Sequence, residues 1–393
     1  MTRIRTDFSV QALGQGLLVP LVGYASSVAV VIQGLTAVGA SVGQIASALV
    51  AFGVLMGLVT IVSSWATRMP IPVAWTTPGL ALLATTGAIA GGFPAAIGAF
   101  IAVGVLIMLT GLWSPLGRLV AAIPKPIASG MLAGILLKLC LAPFMAIGKA
   151  PWVAGAVLLT WLVVGRLARG YAVPAAVFVA LAAMSFDAPF AGLSAADLIP
   201  RLEFVAPAFT WEAMLNIVLP LFIVTMAGQN LPGLMVLAAY DYRPRVAPLL
   251  LSTGAASTLG ASLGMPAINL AAITAALCAG PDAHPDPARR YIAGIFGGVG
   301  YMLLIALAAV AAVVVTRSPP ILIEAVAGLA LIGAFGGAML NAVQDEQDRL
   351  AGLTTFLAAA SGLSLFGIGS AFWGLVLGLL VHQIFHARWS KAK

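Results

Sequence analysis

Long apolar runs dominate this chain. Stretches of about twenty residues, rich in Ala, Val, Leu, Ile and Gly, recur between short polar breaks. None shows the alternation over about ten residues that a membrane barrel strand needs. A helix satisfies its own backbone hydrogen bonds in lipid, so the runs predict membrane helices. Fourteen are predicted, over 10–33, 43–65, 69–88, 93–113, 126–145, 151–166, 172–188, 212–238, 246–264, 265–280, 290–315, 320–342, 350–366 and 370–386. The fold class expected is an all-α polytopic membrane protein.

Composition agrees. Of 393 residues, 62% are hydrophobic and 8% charged, against about 45–50% and about 25% in soluble proteins. A soluble multidomain enzyme, a disordered chain and a nucleic-acid binder are all excluded, the last despite a net charge of +7. Cys140 and Cys278 each lie inside an apolar run and form no CxxC, so neither a disulfide framework nor a zinc site is indicated. No motif calls for a metal or a cofactor.

The few charges orient the chain. With the N-terminus cytoplasmic, fifteen of the nineteen Lys and Arg residues fall on that side. Only Lys149, Arg201 and Arg317 fall on the other, and Lys138 lies within a span. This positive-inside bias supports an even number of crossings, with both termini cytoplasmic in a cytoplasmic (inner) membrane. The first span, preceded by Arg3 and Arg5, is too long for a signal h-region and is expected to be an uncleaved anchor.

Segment 189–211, with Pro200, Arg201, Glu203 and Pro207, is the longest polar connection and reads as an outer-side linker carrying a short interfacial helix. Seven predicted spans precede it and seven follow. Seven is odd, so the second half enters the membrane from the opposite side, as an inverted repeat. A sequence echo fits. Pro126-Ile127 and Ala133-Gly134 recur 194 residues later as Pro320-Ile321 and Ala327-Gly328, and Pro20-Leu21 recurs as Pro220-Leu221. Inverted repeats characterise secondary transporters, which bind substrate near the midplane on broken helices.

The third and tenth spans are the broken ones. Met69-Pro70-Ile71-Pro72 opens the third, and proline forces its surroundings into extended backbone. Thr77, followed by Pro78, is the expected N-cap of a short helix reaching about residue 88. In the tenth, Gly264-Met265-Pro266-Ala267-Ile268 is again extended-prone. Asn269 is the expected cap of a short helix running to about Cys278, ended by Gly280-Pro281. Inversion aims the two helix N-termini at each other, where unpaired N–H groups and partial positive charge suit an anion. The plain alternative is that Pro and Gly merely kink two ordinary spans.

Four motifs, in order along the chain, carry a resemblance. Leu21-Val22-Gly23-Tyr24-Ala25-Ser26-Ser27, Ala74-Trp75-Thr76-Thr77-Pro78-Gly79, Val224 through Gly233, and Ile268 through Ala276 together resemble the benzoate–proton symporter (BenE) family over essentially the whole sequence. The resemblance implies the fold of the uracil–proton symporter and the sulfate-type anion transporters. Spans 1–4 and 8–11 would form a core moving against a gate of spans 5–7 and 12–14, with short strands ahead of the half-helices in spans 3 and 10. The units would be residues 1–122 and 212–316 (core), 123–188 and 317–393 (gate) and the linker 189–211. It also implies a small aromatic carboxylate and a proton as partners, and a homodimer. Where uracil-type relatives place two glutamates, this sequence offers Gln229 and Ile268. Losing both suits an anionic substrate, which a buried Glu would repel.

The candidate binding residues follow. Trp75 would be a platform for an aromatic ring, worth about 0.5–1.5 kcal/mol beyond burial, or else a packing tryptophan. Thr76, Thr77 and Gly79 would offer hydroxyl and N–H groups to the carboxylate, with Asn269, Leu270 and Ala271 mirroring them. Tyr24, Ser26, Ser27, Gln229 and Asn230 would line the remaining walls, or act as interhelical glue. Lys138, about 18 Å into its helix, would draw in the anion or snorkel outward. Glu324 is the repeat counterpart of Gly130 and a candidate proton carrier, or a partner of Arg317. Asp282 and His284 would exchange protons at the end of span 10, or belong to a solvated loop. The rivals to benzoate symport are transport of another small anion or a nucleobase, an intramembrane enzyme, for which no HExxH motif is present, and a channel.

Overall fold

The computed structural model describes residues 7–113, 115, 116, 118, 122–168, 171–185, 199–271, 273–317, 319–366 and 368–389; at 26, 181, 184, 185, 273, 315–317 and 386–389 only the backbone is described. Each of the fourteen predicted stretches carries a helix. In chain order these are α1 (Val10–Ala37), α2 (Val42–Thr67), α3 (Thr77–Thr86), α4 (Gly92–Leu112), α5 (Lys125–Lys149), α6 (Pro151–Leu167), α7 (Ala172–Ser185), α8 (Trp211–Ala239), α9 (Val246–Ala261), α10 (Ile273–Ala279), α11 (Tyr291–Leu303, continuing through a 3-10 turn into Ala308–Arg317), α12 (Pro320–Val343), α13 (Arg349–Ala360) and α14 (Ser370–Trp389). Strands β1 (Val73–Trp75) and β2 (Ile268–Leu270) precede α3 and α10.

Among the described residues six helices (α2, α4, α5, α8, α11 and α12) are long and apolar enough to cross a membrane. A seventh is α1, bent by 43° between Val10–Ala25 and Ser27–Ala37. Helices α6, α9, α13 and α14 are apolar but shorter. The protein is thus a mostly helical, multi-pass membrane protein.

Packing places the two broken segments at the centre. Strands β1 and β2 pair antiparallel, with Val73 opposite Leu270, Ala74 opposite Asn269 and Trp75 opposite Ile268. One further bond extends each end, from Thr76 N–H to the Ala267 carbonyl (3.2 Å) and from Ala271 N–H to the Pro72 carbonyl (3.1 Å). Around this ribbon α2 lies against α11 and α4 against α9. Both contacts are backbone-close. A Cβ on Gly57 would stand 2.7 Å from the Gly298 carbonyl oxygen, and one on Gly254 would stand 2.7 Å from that of Gly104. Only glycine permits this approach, and it gives tight helix packing where lipid supplies no hydrophobic drive. Elsewhere α5 packs against α12 and α13, α13 against α14, and α6 against α7.

Two expectations need correction. The cap of α3 is Thr76, not Thr77: its Oγ1 accepts from Gly79 N–H at 3.2 Å, which makes Thr77 the first helical residue. Asn269 caps nothing. It lies inside β2, where ribbon pairing holds its backbone extended, and α10 starts only at Ile273. No helix occurs among residues 199–209; this part of the linker is extended, tied by Val205 N–H to the Ser262 carbonyl and by Ala208 N–H to the Pro94 carbonyl. The rest of the linker, 189–198, lies outside the described residues.

Candidate functional site

Proline withdraws an N–H donor and disfavours helix before it. Pro70, Pro72 and Pro266 therefore leave extended backbone in the interior of the bundle, and its outward N–H groups need partners. Side-chain oxygens supply them. Thr60 of α2 accepts from Val73 N–H (3.0 Å) and Ser257 of α9 accepts from Ile268 N–H (3.0 Å). Ser64 accepts from Ile71 N–H (3.1 Å), and Asn230 Oδ1 accepts from Leu270 N–H (3.0 Å). Thr60, Ser64, Ser257 and Asn230 are all buried. Asn230 reaches the ribbon from a π-helical turn, Met226–Asn230, where the widened backbone turn re-aims the side chain.

Trp75 is buried, at 4% exposure. Its Nε1–H donates to Ser27 Oγ (2.9 Å), and Ser27 in turn donates to the Gly23 carbonyl (2.8 Å). Tyr24 and Phe52 flank the indole, with ring centroids at 5.6 and 5.5 Å. Thr225 of α8 donates its hydroxyl to Thr76 Oγ1 (3.0 Å), fixing the capping rotamer. A Cβ on Gly79 would collide with Leu221 and with Thr76, so the first turn of α3 admits no side chain there.

The structure thus gathers Tyr24, Ser27, Trp75, Thr76, Thr77, Gly79, Asn230, Ile268, Asn269, Leu270 and Ala271 around one ribbon. Gln229 shares the π-turn with Asn230 and is half-buried. The side chain of Ser26 lies outside the described residues. Several groups expected to face a ligand instead hold the scaffold: Ser27 orients Trp75, Thr76 closes α3, and Asn230 anchors β2. Sequence reasoning missed Thr60, Ser64, Ser257, Thr225 and Phe52. Their signal, a hydroxyl or ring on an apolar helix, is common to many membrane residues.

Four buried polar atoms have no hydrogen-bond partner among the described residues: Tyr24 Oη and Gln33 Oε1 on α1, Asn269 Oδ1 on β2 and Thr274 Oγ1 on α10. Buried polar groups are ordinarily bonded, so these stand ready for a ligand or water. None of the residues gathered here carries a formal charge at neutral pH. Helices α3 and α10 each begin within a few residues of the ribbon, at Thr77 and Ile273. Thr77 N–H has no acceptor among the described residues, and together these groups suit a small polar or anionic moiety beside an aromatic wall.

The remaining candidates lie elsewhere. Lys138 lines a cavity of about 360 Å³ at the far end of α3, together with Glu212, Asn216 and Thr85. Asp282 is exposed on the turn after α10, and His284 accepts there from Asp286 N–H (2.9 Å). Arg290, which the sequence did not single out, is buried and closes α10 by donating to the Ala279 carbonyl (2.7 Å). Glu324 is half-buried on α12. Among the described residues, no three His, Cys, Asp or Glu side chains are grouped to hold a metal.

Paired interrupted segments within a multi-pass bundle define the fold, and solved structures share it. The same fold is found in the transmembrane domain of a cyanobacterium bicarbonate transporter, BicA (TM-score 0.57, 16% identity, covering 96% of this chain and 98% of that one). It is found again in the murine Slc26a9 anion transporter in its inward-facing state (TM-score 0.57, 12% identity, 68% of that chain). Residues 6–384 match the benzoate membrane transport protein (BenE) family, and the chain belongs to it. Relatives include the inner membrane protein YdcO of Escherichia coli, 38% identical over 92% of this chain and 93% of that protein. The benzoate membrane transport protein of Acinetobacter baylyi is 33% identical over 97% and 96%. Membership makes the chain a transporter rather than an enzyme.

Proposed function

We propose that this protein takes up benzoate, or a related small aromatic carboxylate, together with a proton, across the cytoplasmic (inner) membrane. The observation that carries the reading is the uncharged ribbon site, where the Trp75–Tyr24–Phe52 cluster borders a helix N-terminus and the unpartnered Tyr24 Oη and Thr274 Oγ1. An aromatic ring would contact Trp75, and the carboxylate would accept from Thr77 N–H and the two hydroxyls. The names of the Acinetobacter relative and of YdcO support substrate and membrane. Reconstituted vesicles with an inward proton gradient are expected to accumulate labelled benzoate, and to lose accumulation when the gradient is collapsed. Absence of benzoate uptake would refute the assignment.

We read the chain as fourteen crossings in a 7+7 inverted repeat, with both termini cytoplasmic and the core, gate and linker units given above. Supporting this, Val73 and Ile268 are 195 positions apart, and each donates to a hydroxyl on the helix before it. The glycine contacts repeat the relation, since Gly57 and Gly104 correspond to Gly254 and Gly298. A homodimer is the assembly this reading carries with it. A second reading, transport of another small anion or a nucleobase, is favoured by the fold shared with a bicarbonate transporter; competition by bicarbonate, sulfate and uracil against benzoate separates the two.

A further inference from the structure

The cavity at the C-terminal end of α3 is a second place where charge matters. It holds about 360 Å³, within the range of small-ligand pockets, and a sphere of that volume is roughly 9 Å across. Helix α3 spans about 15 Å between the ribbon and this cavity. Two ionisable side chains line it among the described residues, Lys138 of α5 and Glu212 in the first turn of α8. Neither forms an ion pair with any described residue. The other polar groups are largely committed: Thr85 and Thr86 donate to the Leu82 carbonyl, Ser370 donates to the Ala359 carbonyl, and Asn216 Oδ1 accepts from Gly369 N–H. The α3 C-terminus adds partial negative charge, leaving Lys138 as the group that can hold an anion.

Charge balance then has a consequence. With Lys138 an ammonium and Glu212 a carboxylate, the two side-chain charges lining the cavity cancel. A carboxylate entering it leaves one negative charge in excess within the cavity that Glu212 also lines. Like charges at that range favour protonation of one of them. We propose that this cavity is a second substrate station, where the carboxylate pairs with Lys138 as Glu212 takes up one proton from water, so that anion and proton enter together. This rests on the carboxylate reading above. Glu212 also favours the start of α8 through the helix dipole, anchored by Thr210, whose Oγ1 accepts from Ala213 N–H (3.2 Å); a role confined to that would not move protons.

The test is benzoate binding by the purified protein, with proton uptake read in weakly buffered solution from about pH 8 to about pH 5.5. Wild type is expected to take up about one proton per benzoate, with affinity rising up to about tenfold per pH unit on acidification. Glu212→Gln should bind benzoate with a flattened pH dependence and without that proton, Glu212→Asp should restore both, and Lys138→Gln should bind at least tenfold more weakly. Unchanged proton uptake in Glu212→Gln, or its loss in Glu324→Gln instead, would overturn the assignment while leaving benzoate as substrate. Failure of the wild type to bind benzoate would instead bring down the substrate reading on which the station rests.

Discussion

Trp75 is held on three sides, by Ser27 at its nitrogen and by Tyr24 and Phe52 at its rings. Ring contact with a substrate and hydrogen bonding to the scaffold are therefore separable by substitution. Trp75→Ala is expected to weaken benzoate binding about two- to tenfold, the worth of an aromatic contact; unchanged affinity would remove the platform role. Ser27→Ala leaves the ring in place but strands a buried indole N–H, costing about 1–3 kcal/mol of stability, to be read as a lowered melting temperature in detergent. At Thr76-Thr77-Pro78 the sequence pointed to a cap at Thr77, one residue later than the Thr76 that fills the role. Either hydroxyl is chemically suited, and the choice falls on Thr76 because its backbone (φ −79°, ψ 84°) stands outside the helix. Asn269 is a good capping residue by type, yet its place opposite Ala74 keeps it in the ribbon.

At the scale of elements, the two interruptions were readable from Pro70, Pro72 and Pro266, since proline acts on its own backbone. The partners that make the interruptions tolerable were not. Thr60 and Ser257 sit in otherwise apolar helices and meet the strands only once the chain has folded back, and no local rule marks them. For the same reason Glu212, the first residue of the predicted eighth span, was not singled out; only folding brings it to the cavity that Lys138 lines. Thr60→Val and Ser257→Ala each leave a buried strand N–H without an acceptor. Each is expected to cost about 1–3 kcal/mol in thermal unfolding, and the two losses should be similar. Stability unchanged in both would mean that water replaces these hydroxyls.

For the whole molecule, the proposed division into core and gate would require α8 to move relative to α5 during transport. These helices meet where a Cβ on Gly228 would lie 3.6 Å from Leu132 Cδ2. In a chain with Cys140 and Cys278 replaced by alanine, the pair Leu132→Cys and Gly228→Cys, joined by a short thiol cross-linker, is expected to abolish benzoate uptake, while each single cysteine retains it. Full uptake by the cross-linked protein would show that this contact does not move. Outside the two interrupted spans, helix content and approximate boundaries were legible over the described residues, because apolar length decides them there. The mutual arrangement of helices depends on backbone-close glycines that a one-dimensional pattern does not pair.

Those glycine contacts also bear on how the protein is made. Gly57 of α2 finds its mate, Gly298, in α11, and Gly104 of α4 finds Gly254 in α9. As the chain leaves the ribosome, α2 and α4 are complete long before α9 and α11 exist, and β1 waits for β2 with its polar edge unpaired. The nascent first half therefore sits in the bilayer as an unfinished surface, dependent on the insertion machinery or a membrane chaperone until the second half arrives. Two half-chains produced separately should each be degraded, and the same two produced together should rescue one another.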